Sequence, residues 1–213
     1  MPKPIFGING SGMHTNMSLF KNGKNVFYDP NGAKGLSKEA YSFIAGLLAH
    51  VKGMTAVTNP LVNSYKRLVP GYEAPCYMAW SAANRSALIR IPAARGQSTR
   101  LELRCPDPAC NPYLSLALCL AAGLDGIEKG MTPPPEITEN IFAMNTETRE
   151  KNGIASLPGS LIDAVGELKA DKLLTDTLGS HVVSQYVAGK EAEWDEYRTQ
   201  VSSWERDKYI IAY

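Results

Sequence analysis

The segment Arg100-Leu101-Glu102-Leu103-Arg104 decides how this chain is read. In an extended strand successive side chains point to opposite faces, so Arg100, Glu102 and Arg104 share one side and Leu101 and Leu103 the other. The leucine face predicts a sheet packed on a core, while the charged face needs either solvent or a ligand. A solvated face is the ordinary reading of such a strand, but the surroundings argue for a ligand. Between residues 67 and 104 there are six arginines (67, 85, 90, 95, 100 and 104) and only two acids, Glu73 and Glu102. The whole chain hides this excess, because 22 Lys and Arg against 21 Asp and Glu leave a net charge of +1. That balance supplies no bulk attraction to nucleic acid or to an anionic membrane. A nucleic-acid surface would also interleave exposed aromatics with the charge, and Tyr72, Tyr77 and Trp80 alternate poorly with the arginines.

Arginines set on apolar strands suit bidentate recognition of phosphate or carboxylate, so the expected ligand is polyanionic. Upstream, Gly7-Ile8-Asn9-Gly10-Ser11-Gly12-Met13-His14 places a glycine cluster before a strand. Its spacing is neither the dinucleotide fingerprint nor the P-loop, but glycines there allow a close backbone approach to a ligand or an awkward turn. The period of two then puts His14, Asn16 and Ser18 on one polar face. His14 and Glu102 stand out as candidate ligands for a divalent ion, since phosphoryl chemistry uses such an ion to neutralise charge on the transferred group. Two protein ligands alone do not make a complete metal site.

With 213 residues and 44% hydrophobic content, the chain can bury a real core, and its ordinary 20% charged content excludes a disordered or fibrous protein. The longest apolar stretch, Leu114 to Leu120 running into Ala121 and Ala122, is too short for a bilayer span. The N-terminus carries no secretory pattern, so a cytoplasmic location is expected. Cys76, Cys105, Cys110 and Cys119 form no C-x-x-C pair and read as reduced thiols in or near the core.

Strand signals fill the first half and helix signals the second. Residues 13–28 read as a hairpin about Asn22-Gly23, pairing Met17–Phe20 with Val26–Tyr28. Ser37 caps a helix to about Lys52, with Gly53 as its stop. Short strands follow at 77–81, 87–91 and 100–104. Asn111-Pro112 opens a helix through Ile127, ended by Gly130, and Ser160 with Asp163 starts another. A final helix from about His181 to Lys208 aligns Val187, Trp194, Tyr197, Val201 and Trp204 on one apolar face, and the apolar tail Tyr209–Tyr213 is expected to dock in an assembly.

Several motifs together carry a resemblance. These are Asn9-Gly10-Ser11-Gly12-Met13-His14, then Asn59-Pro60, and Asn63-Ser64-Tyr65-Lys66-Arg67-Leu68-Val69-Pro70-Gly71-Tyr72-Glu73-Ala74-Pro75. Asn84-Arg85-Ser86-Ala87 and Arg100-Leu101-Glu102-Leu103-Arg104, with Pro106-Asp107-Pro108 behind it, complete the set. In this order they resemble type I glutamine synthetase along the whole chain, but only the C-terminal part of that enzyme. Its N-terminal β-grasp domain and the first part of its catalytic domain are not in this sequence. The resemblance implies an α+β fold, an incomplete glutamine synthetase/guanido kinase-like catalytic domain with an antiparallel sheet backed by helices. Residues 1–110 would hold the sheet and site motifs, and 111–213 would be mainly helical.

The implied reaction is ATP-dependent ligation of L-glutamate and ammonia through γ-glutamyl phosphate, with Mg²⁺ or Mn²⁺ as cofactor. Under the resemblance His14 and Glu102 match metal ligands, while Asn9, Gly10, Arg67 and Arg104 match glutamate-binding positions. Arg85 matches the residue shared between glutamate and nucleotide, and Arg90, Asn16 and Ser18 match ATP contacts. Many relatives carry His where this chain has Asn16, and some carry a nucleotide-binding lysine where it has Gln97. Glu73 matches the flap glutamate that closes over the intermediate, binds substrate and helps deprotonate ammonium; a mobile Gly-Tyr-Glu-Ala-Pro loop suits excluding water from an acyl phosphate. The family's remaining metal carboxylates lie upstream, so the 213-residue chain is expected to be an inactive fragment by itself. The resemblance further implies a homo-oligomer, a dodecamer in the full-length family, with regulatory protein contact through the C-terminal region. A γ-glutamyl ligase for another amine and a non-catalytic nucleotide- or protein-binding module remain alternatives.

Overall fold

The computed structural model describes residues 1–212. In chain order the elements are β1 (Thr15–Met17), β2 (Phe20–Lys21), β3 (Lys24–Asn25), α1 (Lys38–Thr58), α2 (Ser64–Arg67), β4 (Trp80–Ser81), β5 (Ile89–Arg90) and β6 (Leu101–Leu103). Six more helices follow: α3 (Pro112–Glu128), α4 (Thr146–Lys151), α5 (Leu161–Ala170), α6 (Lys172–Leu178), α7 (Ser180–Arg198) and α8 (Ser203–Tyr209).

The main sheet has the order β1-β6-β5-β4. β6 pairs antiparallel with β1 and β5, as expected, but β4 runs parallel to β5, so the sheet is mixed. The return between these two-residue strands is a tight polar loop. Ser81 Oγ accepts from the Asn84 amide at 3.0 Å, and Asn84 Oδ1 accepts from the Ser86 amide at 2.8 Å. The register sets Asn16 opposite Glu102, Glu102 opposite Arg90 and Arg90 opposite Ser81. Residues directly opposite share a face, so these four form one row across the sheet. Leu101, Leu103 and Ile89 point the other way and are fully buried. The alternation read from Arg100–Arg104 is therefore the one that separates core from site.

The Asn22-Gly23 turn forms with both residues left-handed, φ 51° and 74°, the geometry that suits a right-twisted hairpin. The hairpin is smaller than expected. It joins only β2 and β3, because Thr15–Met17 instead pairs with Leu101–Leu103.

Ser37 caps α1 by accepting the Ala40 amide at 3.1 Å. The helix does not stop at Gly53 but continues to Thr58. A Cβ on Gly53 would lie 2.8 Å from Leu174 Cδ1 and 3.1 Å from the Glu167 carbonyl, so this glycine serves the close approach of α5 and α6 rather than termination. α1 has the length and composition of a membrane span, yet 78% of that window is buried inside the fold. It is apolar nearly all round because α3, α5 and α6 cover it.

Asn111 caps α3, and Gly130 follows it with φ +60°. The expected last helix is two helices, since Ser202 and Glu205 form a reciprocal capping box that starts α8 afresh. The apolar stripe consequently breaks up. Val187 is buried, while Val201 and Trp204 are 70% and 62% exposed. Of the apolar tail, Ile210 and Ile211 are exposed, and Tyr213 lies outside the described residues. All four cysteines are free and buried. Burial raises the Cys76 thiol to about 11 and the Cys119 thiol to about 12, which keeps both protonated and unreactive at neutral pH.

Candidate active site

Two cavities open along the polar side of the sheet. The smaller, about 230 Å³, is lined by Lys3, Asn9, Gly10, Gly12, His14, Arg67, Tyr72, Glu73, Ala74 and Arg104. The larger, about 550 Å³, is lined by Tyr72, Glu73, Asn84, Arg85, Ser86, Arg90, Arg104, Asn140 and Phe142. Tyr72, Glu73 and Arg104 belong to both, so one carboxylate and one guanidinium stand where the two spaces meet.

Arg67 is held at the C-terminal end of α2, where it is 4% exposed. Its Nη1 donates to the Cys105 carbonyl at 2.6 Å and its Nη2 to the Arg104 carbonyl at 3.4 Å. Gly12 makes room for this guanidinium, because a Cβ there would overlap Nη2 and come to 3.2 Å of Cζ. Arg104, 7% exposed, donates through Nη1 to the Arg85 carbonyl, while its buried Nε has no hydrogen-bond partner among the described residues. Burial lowers the pKa of both arginines, though a guanidinium stays charged throughout the physiological range. The smaller cavity is thus a positively charged cup with Glu73 on its lining.

Glu102 is 4% exposed. Its Oε1 faces His14 Nδ1 at 2.8 Å. Its Oε2 approaches Arg90 Nε at 2.5 Å without the alignment of a hydrogen bond, so both atoms are buried with no hydrogen-bond partner among the described residues. Burial, followed by Arg104, lowers the His14 pKa against the pull of Glu102. A neutral imidazole that donates from Nδ1 to a carboxylate leaves the Nε2 lone pair available. A carboxylate oxygen that is ion-paired but not hydrogen-bonded, beside a neutral imidazole, fits part of a divalent-ion shell. Among the described residues no group of three or more His, Cys, Asp or Glu side chains could hold a metal. The chain therefore offers two positions of such a shell and not a closed site.

The structure gathers Asn9, Gly10, His14, Arg67, Glu73, Arg85, Arg90, Glu102 and Arg104 at these cavities or on the row beside them. Asn16 and Ser18 lie outside both cavities, Asn16 at the β1 end of the row opposite Glu102. Asn16 is exposed, its Oδ1 accepting from Arg100 Nε at 3.1 Å, and neither residue is among the cavity linings. Gln97 is turned away, with its Nε2 donating to the Gly23 carbonyl at 3.2 Å. Sequence reasoning missed Lys3, Asn140 and Phe142. Lys3 stands four residues before the glycine cluster and could have been included in it. Asn140 and Phe142 reach the larger cavity only because Asn84 Nδ2 bonds the Glu139 carbonyl and Ser86 Oγ accepts from the Ile141 amide, contacts spanning about 55 residues that no local pattern announces.

The family model for the glutamine synthetase catalytic domain matches residues 1–209. The chain belongs to the glutamine synthetase catalytic-domain family. It is 65% identical over 213 residues to a glutamine synthetase of Clostridium saccharobutylicum, covering 100% of this chain and 48% of that protein. To the enzyme of Methanosarcina mazei it is 59% identical over 210 residues, 99% of this chain and 47% of that protein. The chain spans about half the length of the curated relatives it matches. Among solved structures it is similar to a GmaS/ADP complex, with TM-score 0.88, 40% identity and coverage of 99% of this chain and 48% of that one. A cryo-EM structure of Plasmodium falciparum glutamine synthetase matches with TM-score 0.83 and 30% identity, covering 98% and 49%.

Proposed function

We propose that this chain is the glutamate- and ATP-gripping part of a glutamate–ammonia ligase. The observation that carries the reading is the meeting of two cavities at Arg104, Tyr72 and Glu73. Ligation through an acyl phosphate needs an amino-acid carboxylate and a phosphate donor to approach across a shared wall of positive charge. L-Glutamate takes the smaller cavity, with Arg67 and Arg104 pairing its carboxylates and the Asn9-Gly10 segment lying against its backbone. ATP takes the larger cavity, consistent with a structural neighbour that is an ADP complex. Arg90 contacts its phosphates, and Phe142 and Asn140 offer an aromatic face and an amide.

The γ-carboxylate of glutamate attacks the terminal phosphorus of ATP, forming γ-glutamyl phosphate and releasing ADP. Arg85 and Arg104 hold the charge that builds on the transferred group. Glu73 then covers the acyl phosphate, keeps water out and accepts a proton from ammonium, and the resulting ammonia displaces phosphate to give glutamine. His14 and Glu102 would hold one Mg²⁺ or Mn²⁺, which when bound supplies charge neutralisation at the phosphates. Because two protein ligands hold such an ion loosely, the 213-residue chain alone is expected to give no detectable glutamine. The full ligase would work in the cytoplasm as a homo-oligomer, a dodecamer, with the C-terminal helices available to regulatory protein.

Calorimetry on the 213-residue chain tests the reading. L-Glutamate should bind with one site, and Arg67→Ala should abolish that binding while leaving ATP binding with Mn²⁺ intact. Unchanged glutamate affinity in Arg67→Ala would show the substrate assignment to be wrong.

A further inference from the structure

The segment Pro2-Lys3 touches three of the pieces that build the smaller cavity: the glycine cluster, the turn before α2 and the Tyr72-Glu73 loop. The Pro2 carbonyl accepts from the Ser11 amide at 2.8 Å, in the glycine cluster. The Lys3 amide donates to Asn63 Oδ1 at 2.8 Å and its carbonyl accepts from Asn63 Nδ2 at 2.9 Å, four residues before Arg67. The Lys3 ammonium donates to the Ile8 carbonyl and sits 3.9 Å from the centroid of the Tyr72 ring. Tyr72 immediately precedes Glu73 on a loop whose residues 70–73 have no hydrogen bond to the rest of the chain among the described residues.

A lysine only 8% exposed is rare unless its charge is satisfied. Here one carbonyl and one aromatic face do so, and the aromatic face belongs to the loop that carries Glu73, the one carboxylate lining the cavity among the described residues. We infer that Lys3 is a positioning residue that latches the Glu73 loop over the smaller cavity through the face of Tyr72. Its backbone is fixed to Asn63 and its ammonium to Ile8, so the cation is a stationary post against which a loop without hydrogen bonds of its own can dock. Lys3 acts through Tyr72 and not on substrate. The consequence for glutamate binding rests on the reading of the smaller cavity given above, but the latch itself does not.

Digestion of the 213-residue chain with a glutamyl endoproteinase reads the latch directly. Cleavage after Glu73 is followed by mass spectrometry and referenced to cleavage after the exposed Glu147 in the same sample. Lys3→Met should raise the relative rate at Glu73 by about 2- to 10-fold, the range a partly exposed cation–π contact supports. Lys3→Arg, which keeps the cation, and Tyr72→Phe, which keeps the ring, should stay near the parent rate. Tyr72→Leu should match Lys3→Met, and the double variant should cleave no faster than either single one. An unchanged rate in Lys3→Met, or a rate in Lys3→Arg as high as in Lys3→Met, overturns the latch. If Lys3→Met does not fold, the contrast between Tyr72→Leu and Tyr72→Phe decides, and equal rates overturn it. Calorimetry with L-glutamate should show weakened binding in Lys3→Met and recovery in Lys3→Arg. No glutamate binding by the parent chain, with the cleavage pattern intact, would sink the glutamate reading and support the latch alone.

Discussion

Gly12→Ala is the sharpest probe of the smaller cavity, because it adds one methyl group and removes no functional atom. The new Cβ would overlap Arg67 Nη2 and lie 3.2 Å from Cζ. Ordinary carbon contacts begin near about 3.5 Å, so the guanidinium must retreat by about 1 Å. An exposed arginine would swing aside at no cost, but Arg67 is 4% exposed and fixed by hydrogen bonds to the Cys105 and Arg104 carbonyls. The 3.4 Å contact to Arg104 is the longer and gives way first. One hydrogen bond to a charged group contributes about 1.5–3 kcal/mol, so glutamate affinity should fall by roughly tenfold or more once the guanidinium no longer meets the carboxylate. Calorimetry gives the affinity, and thermal unfolding of the same sample separates a displaced arginine from a damaged fold. Glutamate affinity within twofold of the parent, with Arg67 unmoved in a structure of the variant, would refute the packing argument.

Glu102→Gln should weaken Mn²⁺ binding by at least about tenfold, since an amide replaces the buried carboxylate oxygen that has no hydrogen-bond partner, and calorimetry with Mn²⁺ alone measures it. Glu136 is predicted to make the fold acid-sensitive. Burial would raise its pKa, but hydrogen bonds from Lys34, the Ala82 amide and Ser81 outweigh burial and lower it. Its contribution is therefore fully present above the unfolded value of about 4.3 and is lost as pH falls through the lower folded value. Glu136→Ala should cost about 2–3 kcal/mol at pH 7 by leaving the Ala82 amide and Ser81 hydroxyl unpaired, and urea unfolding should show that cost shrinking below about pH 4. Gly53→Val should destabilise by about 1–3 kcal/mol by forcing α1 away from Leu174 and Glu167, with no change in ligand affinity.

Most of the candidate site could be read in one dimension because its elements are strands with strict alternation. The arginine and glutamate positions around Glu102 follow from a period of two, and the structure places them on one face as that period requires. Helix starts were equally legible at Ser37, Asn111 and Ser160, where a side-chain oxygen accepts a nearby backbone amide. Helix ends were not. Gly53 has the composition of a stop, but what surrounds it is Leu174 and the Glu167 carbonyl, which approach from more than a hundred residues away. The last helix failed in the opposite sense, since a local capping box at Ser202 starts a new helix and leaves Val201 and Trp204 exposed while Val187 and Trp194 pack on the core.

The sequence by itself determined the family and the charge pattern of the sheet, and it singled out nine residues that the structure gathers at or beside the two cavities, because those depend on side-chain type and on spacing along one strand or loop. Only the tertiary structure decided that β4 joins in parallel and that Asn140 and Phe142 line the larger cavity. It also decided that Lys3 reaches the ring beside Glu73. Each of those depends on where separate segments meet in space, and that is set by the burial of α1 and its neighbours rather than by any residue's immediate sequence.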